Sequence, residues 1–469
     1  MRAELEEALE LAAAEAGAFL AGIDDDPVQP PGSEDNAAAL GGDLPEDGDG
    51  AIASLTELAR LGRDAATRSA GPRFFHFVIG GTTPAALAAD WLTSSFDQNT
   101  GAWAASPLGS RLESVCLEWL RDLFELPSDF GGVLVTGGTM ANFACLAVAR
   151  DWCAERQDKA GARSGLANLP QIPVFSSGYI HASAMKSLAL LGIGTDNVRQ
   201  LTGDAAGRLD LDALSRALGE LDGAPAILIA NAGEVNAGDF DPIAAMADLA
   251  EANGAWLHVD GAFGLFARVS PKSAHLAAGT ERAHSVSSDG HKWLNVPHDC
   301  GFAFVREPQR LATTFAEVAA YLPSPDDPRP SWGFMGPEGS RRARAFAIWA
   351  TLRAYGRSGY REMVERHLGL AQRLARRIDG EPQFERLAEV PLNIVCFRWR
   401  PAGASEDELD RLNRELGDAL LRDGRVFAGT TLFEGKVAFR PAIVNWRTRE
   451  KDVDALVAVL LELTRGLRG

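Results

Sequence analysis

The chain has 469 residues, 46% of them apolar, which is more than one small core needs and excludes global disorder. Acidic residues number 64 against 46 basic ones, a net charge of −18 that disfavours nucleic acid and anionic membrane surfaces as partners. The five cysteines (Cys116, Cys145, Cys153, Cys300 and Cys396) form no CxxC pair and read as reduced, mostly buried thiols, without a metal site.

The opening stretch "MRAELEEALELAAAEAGAFLAG" carries glutamates throughout and has no basic n-region, so an amphipathic helix is expected over 1–20 rather than a signal peptide. No apolar run approaches the roughly 18 residues of a membrane span, and a cytoplasmic protein is expected. Residues 24–50 are acidic and rich in Pro and Gly, which predicts an extended connector. Helical character returns at 51–62. "GPRFFHFVIGG" (71–81) is apolar but ends in a Gly pair, and reads as a loop that lines something. An amphipathic helix follows in "GSRLESVCLEWLRDLFEL". Short β-rich runs then alternate with helical ones, at Gly132–Thr136, Pro173–Ser176, Asn197–Leu201, Ala226–Asn231, Trp256–Asp260, His284–Ser287 and Gly301–Val305. Nearly all-apolar strands separated by helices predict an α/β unit whose largely parallel sheet is buried on both faces. The segment 322–339 holds five prolines and three glycines and reads as a loop, followed by a long helix from about Ser340 to Tyr355. Beyond residue 360, helix and strand alternate in another register ("NIVCFRW", "VFAGTTLF", "KVAFRPAIVN", then a helix from Lys451), which predicts a smaller α+β domain.

Several of these strands end in chemically active residues, and ligands of open α/β sheets gather at such ends. In "VLVTGGTMAN" (133–142) a strand runs through Gly137-Gly138-Thr139 into a helix. Free N–H groups and the positive helix end there make an anion cradle, although an ordinary strand–turn–helix reads the same way. His181 opens a helix in "YIHASAMKSLALLG"; it is either a helix-start histidine or an imidazole laid over a flat ligand. Asp260 ends an apolar strand, where a carboxylate needs a partner such as a protonated ring nitrogen; otherwise it caps a turn. Ala262, two residues on, leaves room for something flat. Lys292 stands in "DGHKWLNV", where an apolar pocket would make its amine a usable nucleophile; the alternative is a lysine reaching out from a turn. An anion cradle, a flat-face partner, a buried acid and an imine-forming lysine are together what pyridoxal 5′-phosphate requires.

The set "PRFFHFV" (72–78), "WAASPLGSRLESV" (103–115), "TGGTMAN" (136–142), "HASAMKSL" (181–188), "NAGEVNAGDFDP" (231–242), "HVDGAFG" (258–264), "SSDGHKWLNVPHDCG" (287–301) and "SRRARAFAIWATLRAYGRSGY" (340–360), in that order, resembles the group II pyridoxal-phosphate-dependent amino acid decarboxylases, the family of aromatic-L-amino-acid, glutamate and tyrosine decarboxylases. The resemblance spans about 52–460. It implies the aspartate-aminotransferase-type (fold type I) fold, with a mostly parallel seven-stranded sheet, and a homodimer with shared active sites. It also implies an N-terminal helical segment with dimerisation and active-site loops (1–105), a large cofactor-binding domain (106–355) and a small C-terminal domain (356–469). By resemblance Lys292 bonds the cofactor aldehyde, His181 stacks on the ring, Asp260 pairs with the ring nitrogen and Ala262 packs on the other face. Gly138 and Thr139 hold the phosphate with His291 close by, and Gly339 and Ser340 approach the phosphate of the partner subunit. Phe77 to Gly80, and across the dimer Asn99 to Trp103, face the substrate.

The implied activity is that of a lyase: decarboxylation of an L-amino acid to its amine with release of CO₂. The chain departs from the pattern in one consequential place. Relatives of the aromatic type carry a tyrosine in the loop before the "SRRAR"-like helix, and residues 322–354 contain none; Trp332 and Phe334 occupy the neighbourhood and Tyr321 stands at its start. Relatives that lack this tyrosine can divert the chemistry to an aldehyde, so oxidative deamination coupled to decarboxylation, or another carbanion fate such as transamination, is the alternative, with a non-catalytic scaffold a remote third. "NAGEVNAG" stands where a Thr-rich stretch is commoner in the family, and the resemblance offers Asn236 as a substitute for a hydroxyl near the ring. The substrate side chain is not legible in the sequence.

Overall fold

The computed structural model describes residues 2–159, 165–167, 169–317, 319–320, 324 and 327–467. Its chain divides into two compact units that interleave along the sequence: Gly80–Gly369 with Glu389–Ile394, and Met1–Ile79 with Leu370–Ala388 and Val395–Gly469.

The first unit is built on a seven-stranded sheet of β1 (Gly131–Val135), β2 (Val174–Ser176), β3 (Val198–Gln200), β4 (Ile227–Asn231), β5 (Trp256–Asp260), β6 (Ser285–Asp289) and β7 (Gly301–Val305), in the order β1-β7-β6-β5-β4-β2-β3. Strand β7 runs antiparallel to both of its neighbours, and the other four pairings are parallel. All seven expected strands are present, with ends within two residues of those read from the sequence. Every residue of β4, β5, β6 and β7 is buried, as strands covered on both faces must be. The Gly138–Glu155 helix packs across β5, β6 and β7. Its buried face is mostly small (Ala141, Ala144, Cys145, Ala147), which lets the helix lie close to the sheet. The carboxyl ends of β1, β2, β5 and β6 share one sheet edge, so the segments bearing Gly138, His181, Ala262 and Lys292 all leave from that edge. The long helix after the Pro-rich segment runs Ala345–Asp379 and breaks at Gly356, whose φ of 60° suits glycine.

The second unit carries an antiparallel sheet of β8 (Phe384–Arg386), β9 (Phe397–Trp399), β10 (Thr430–Phe433) and β11 (Lys436–Phe439), ordered β10-β11-β9-β8. Helices Glu406–Asp423 and Glu450–Gly466 complete it, the former opened by a capping box between Ser405 and Glu408. N-terminal residues belong to this unit by direct pairing: Phe74 bridges Phe427 in parallel, and the Phe75 carbonyl accepts the Ala442 N–H at 2.8 Å. The expected N-terminal helix is present as Arg2–Gly22, with no buried residue. The acidic connector has a short helix at Ser33–Ala38 and buries Val28. All five cysteines are unpaired and buried. No helix among the described residues is long and apolar enough to cross a membrane.

Candidate active site

Lys292 sits in a single π-helical turn, Gly290–Leu294, that follows β6 and ends at Asn295 in the left-handed conformation. The turn is fixed from all sides. The fully buried Trp293 donates from Nε1 to His367 Nδ1 at 2.8 Å. Tyr360 OH donates to the Leu294 carbonyl at 2.9 Å and shares a 2.7 Å hydrogen bond with Thr351 Oγ1. Gly80 lies flat against the turn: its N–H donates to the His291 carbonyl, and a Cβ there would fall 1.6 Å from the Lys292 carbonyl oxygen. The lysine side chain is 18% exposed, with Nζ 2.9 Å from Asp289 Oδ2 and 5.9 Å from the centre of the Phe263 ring.

Asp289 ends β6 and is the hinge of the anion cradle. Its carboxylate accepts the Gly138 N–H at the start of the Gly138–Glu155 helix, where the helix dipole favours negative charge. The same carboxylate lies 3.4 Å from His291 Nε2. His291 Nδ1 accepts the Cys300 N–H at 3.2 Å, which leaves the ring proton on Nε2, facing Asp289. Burial lowers the His291 pKa to about 4, so the ring is neutral near pH 7 and stacks on His298 with centroids 4.3 Å apart. Gly137 and Gly138 leave the cradle open: a Cβ on Gly137 would press on His291, and one on Gly138 would strike Asp289. Thr139 is exposed in the first turn of the helix.

Asp260 ends β5, beside β6, and is buried. Oδ2 accepts Asn142 Nδ2 at 2.8 Å and Oδ1 accepts the Ala262 N–H at 3.2 Å. His181 is the N-cap of the Ala182–Leu190 helix, its Nδ1 accepting the Ser183 N–H at 3.2 Å and lying 2.7 Å from Ser183 Oγ. The helix-start reading of His181 is therefore what the geometry shows, and it aligns the ring as well: Ser183 Oγ accepts from Asn142 Nδ2 at 3.1 Å, so one amide links the histidine's helix to Asp260.

Direct and hydrogen-bonded contacts thus bring Gly138, Asp260, His181, His291 and Lys292 to one sheet edge, with Ala262 joined through the Asp260 carboxylate. Gly339 and Ser340 stand elsewhere in the same unit. With Asn99, Gly101, Ala102 and Phe334 they line a cavity of about 550 Å³, none of whose lining residues belongs to the lysine cluster. Trp103 is half-buried in the turn before the Pro107–Leu123 helix, its carbonyl accepting the Ser106 N–H. Phe77 belongs to the other unit, where it is exposed, has a φ of 55° and packs its ring against His76. Trp332 is buried and donates to the Ser110 carbonyl at 3.1 Å. Asn236 donates its N–H to Glu234. Tyr321 lies outside the described residues.

The family model of the pyridoxal-dependent decarboxylase conserved domain matches residues 43–400. The chain belongs to the pyridoxal-dependent decarboxylase family. Two curated relatives illustrate its reach. An aromatic-L-amino-acid decarboxylase of Bacillus atrophaeus is 29% identical over 417 residues, 87% of this chain and 85% of that one. An L-2,4-diaminobutyrate decarboxylase of Rhizobium meliloti (strain 1021) is 31% identical over 434 residues, 90% and 84% of the two chains. Among solved structures, that of Oryza sativa TDC with PLP and tryptamine superposes with a TM-score of 0.91 at 25% identity, covering 100% of this chain and 99% of that one. The decarboxylase is accordingly a lyase of amino acid metabolism that uses pyridoxal phosphate, with the fold type I architecture expected of it.

The side chains present fit that cofactor. The amine of Lys292 is within reach of the edge but shielded from bulk water, the Asp260 carboxylate is held by two N–H donors on fixed elements, and the glycine pair leaves the helix N-terminus approachable. One feature was not legible in advance: the Gly138 N–H is already taken by Asp289, which puts a carboxylate of the chain itself inside the phosphate cradle. Asp289, Asn142 and His258 were all missed as site residues by the sequence reading.

Proposed function

We propose that this decarboxylase removes the α-carboxylate of an L-amino acid as CO₂ and releases the amine, with Lys292 as the amine that carries the cofactor. The observation that bears most weight is the pairing of two strand ends. Asp260 closes β5, and Lys292 follows three residues after the end of the neighbouring β6, so an acid and a shielded amine share one edge of the sheet. Bound pyridoxal phosphate supplies an electron sink for the pair left behind when the bond from Cα to the carboxylate breaks. The chain's own groups do the rest. Asp260 holds a proton on the nitrogen that faces it. Ala262 leaves the space beside it unfilled, and His181 covers the opposite face. Thr139 and the helix N-terminus beside Gly138 take the phosphate, with His291 next to them. Because His181 Nδ1 accepts from Ser183, a ring proton sits on Nε2, and that is the atom through which His181 would deliver a proton to Cα. Tyr321 or a water sheltered by the 322–339 segment are the other candidate donors.

The working form is a homodimer in which Gly339, Ser340 and the Asn99–Trp103 segment, with Phe77 to Gly80, complete the sites. Support comes from the cavity lined by Asn99, Gly101, Gly339 and Ser340, none of whose lining residues belongs to the lysine cluster of its own chain. Five unpaired, buried cysteines support a reducing, cytoplasmic setting. A second reading keeps the cofactor and ends in an aldehyde, because no tyrosine occurs between 322 and 354. The standard amino acids plus ornithine and 2,4-diaminobutyrate, assayed together for CO₂, amine, aldehyde and peroxide, decide between them. Equal CO₂ and amine from at least one substrate is expected. Aldehyde with peroxide establishes the second reading, and no CO₂ from any substrate removes both.

A further inference from the structure

The alternation of a strand puts Trp256, His258 and Asp260 of β5 on one face, and the register sets His258 beside Ser285 and Asp260 beside Ser287 of β6. That face meets the Gly138–Glu155 helix at Asn142, which is fully buried. The hydrogen bonds between these side chains have only one consistent set of directions. Trp256 Nε1 can only donate, and it donates to Ser285 Oγ at 2.9 Å. Ser285 Oγ lies 2.9 Å from His258 Nδ1 and gives it the hydroxyl proton. Burial pulls the pKa of His258 down to about 4, so the ring is neutral, and its one proton sits on Nε2 because the Asn142 Oδ1 that faces this atom can only accept. Nε2 donates to Asn142 Oδ1 at 2.9 Å, and Ser287 Oγ donates to the same oxygen at 2.6 Å. With its oxygen held by two donors, the Asn142 amide can turn only its NH₂ to the sheet edge. There it donates to Asp260 Oδ2 at 2.8 Å and to Ser183 Oγ at 3.1 Å. Ser183 then gives its own proton to His181 Nδ1, 2.7 Å away.

We infer that Asn142 is a positioning residue for the cofactor ring, aiming Asp260 at the ring nitrogen and His181 at the ring face through one amide whose orientation His258, Ser285 and Trp256 lock. The relay rests on the reading of Asp260 as the partner of that nitrogen. It gives a reason for a histidine, two serines and an asparagine to be buried in a sheet interior, where unpaired polar groups are costly and a fully satisfied network specifies one arrangement.

The test compares two ligands of the cofactor-free protein by equilibrium binding: pyridoxal 5′-phosphate, and 1-deazapyridoxal 5′-phosphate, in which a C–H replaces the ring nitrogen. In the unsubstituted protein the first binds more tightly, because only it can pair with Asp260. In Asn142→Leu the ratio of the two affinities falls by about tenfold, the size expected from losing aim in one charge-assisted hydrogen bond. Ser285→Ala only removes an oxygen, leaves Asp260 and Asn142 untouched and keeps the test available should Asn142→Leu fail to fold. There the ratio falls by about threefold, through loss of the lock alone. A merely structural role weakens both ligands in parallel, and an unchanged or increased ratio in either folded variant overturns the inference. Equal affinities in the unsubstituted protein would instead refute the reading of Asp260 on which the relay stands.

Discussion

Gly80 shows how closely one residue can be tied to the chemistry. Its missing side chain is what allows the backbone to lie on the lysine turn, since a Cβ would fall 1.6 Å from the Lys292 carbonyl oxygen and 2.8 Å from the carbonyl carbon. Both atoms are backbone and cannot swing aside. Gly80→Ala is therefore expected to displace the turn, destabilising the protein by about 3 kcal/mol or more and abolishing the cofactor's absorbance band. Gly369→Ala, at a helical position with open space around it, is expected to be neutral or to stabilise by about 0.5–1 kcal/mol. Thermal unfolding of the two variants side by side reads both. At this scale the sequence was informative where a residue was out of place for its type. A lone lysine among Trp293, Leu294 and Val296 and an acid at the end of an apolar strand both stood out. His258 was within reach of the same reasoning, because the alternation that puts Asp260 on one face of β5 puts His258 there too. Asn142 and Asp289 gave no such signal: an asparagine in a helix and an aspartate before a glycine are ordinary on a surface, and only the fold buries them.

Between the elements runs a buried ion pair. Arg341, just after the Pro-rich segment, forks onto Glu113 of the Pro107–Leu123 helix with contacts of 2.6 and 2.8 Å, and the two side chains are 1% and 2% exposed. Glu113 also accepts the Leu134 N–H of β1, and the Arg341 carbonyl accepts the Thr100 N–H. The pair thus holds the 99–101 segment, a helix and the first strand to the stretch bearing Gly339 and Ser340. Arg341→Met leaves Glu113 buried without its countercharge and is expected to cost about 3–5 kcal/mol, seen as a large drop in the denaturation midpoint. Removing Lys272 from its surface pair with Glu365, where the lysine is 66% exposed, is expected to shift the midpoint far less. Elements were legible in the sequence wherever burial imposes a pattern. Strands β1, β2, β4, β5 and β7 of the large sheet could be placed because strands buried within a sheet are largely apolar, whereas β6 (Ser-Val-Ser-Ser-Asp) and the partly exposed β3 (Val-Arg-Gln) are mostly polar and followed from their place in the alternation of strands with helices. Strand β8 was not expected: two of the three residues in its sequence, Phe-Glu-Arg, are charged, and pairing with β9 rather than its own composition makes it a strand.

Across the whole molecule, the second unit draws together the two ends of the chain. The sequence suggested a small C-terminal domain but had no local signal for its N-terminal share, because a bridge such as that from Phe74 to Phe427 joins residues hundreds of positions apart. The architecture of the first unit, by contrast, followed from alternating strands and helices, and it is this architecture that carries the acid, the histidine and the lysine from distant stretches to one edge. The proposed activity requires that Lys292 be the amine that binds the cofactor. Borohydride reduction of the pyridoxal-phosphate-loaded protein, followed by peptide mapping by mass spectrometry, tests this directly. The expected result is one phosphopyridoxyl group on the peptide containing Lys292, absent from Lys292→Ala. A label on another lysine such as Lys186 or Lys272, or one that persists in Lys292→Ala, would contradict it.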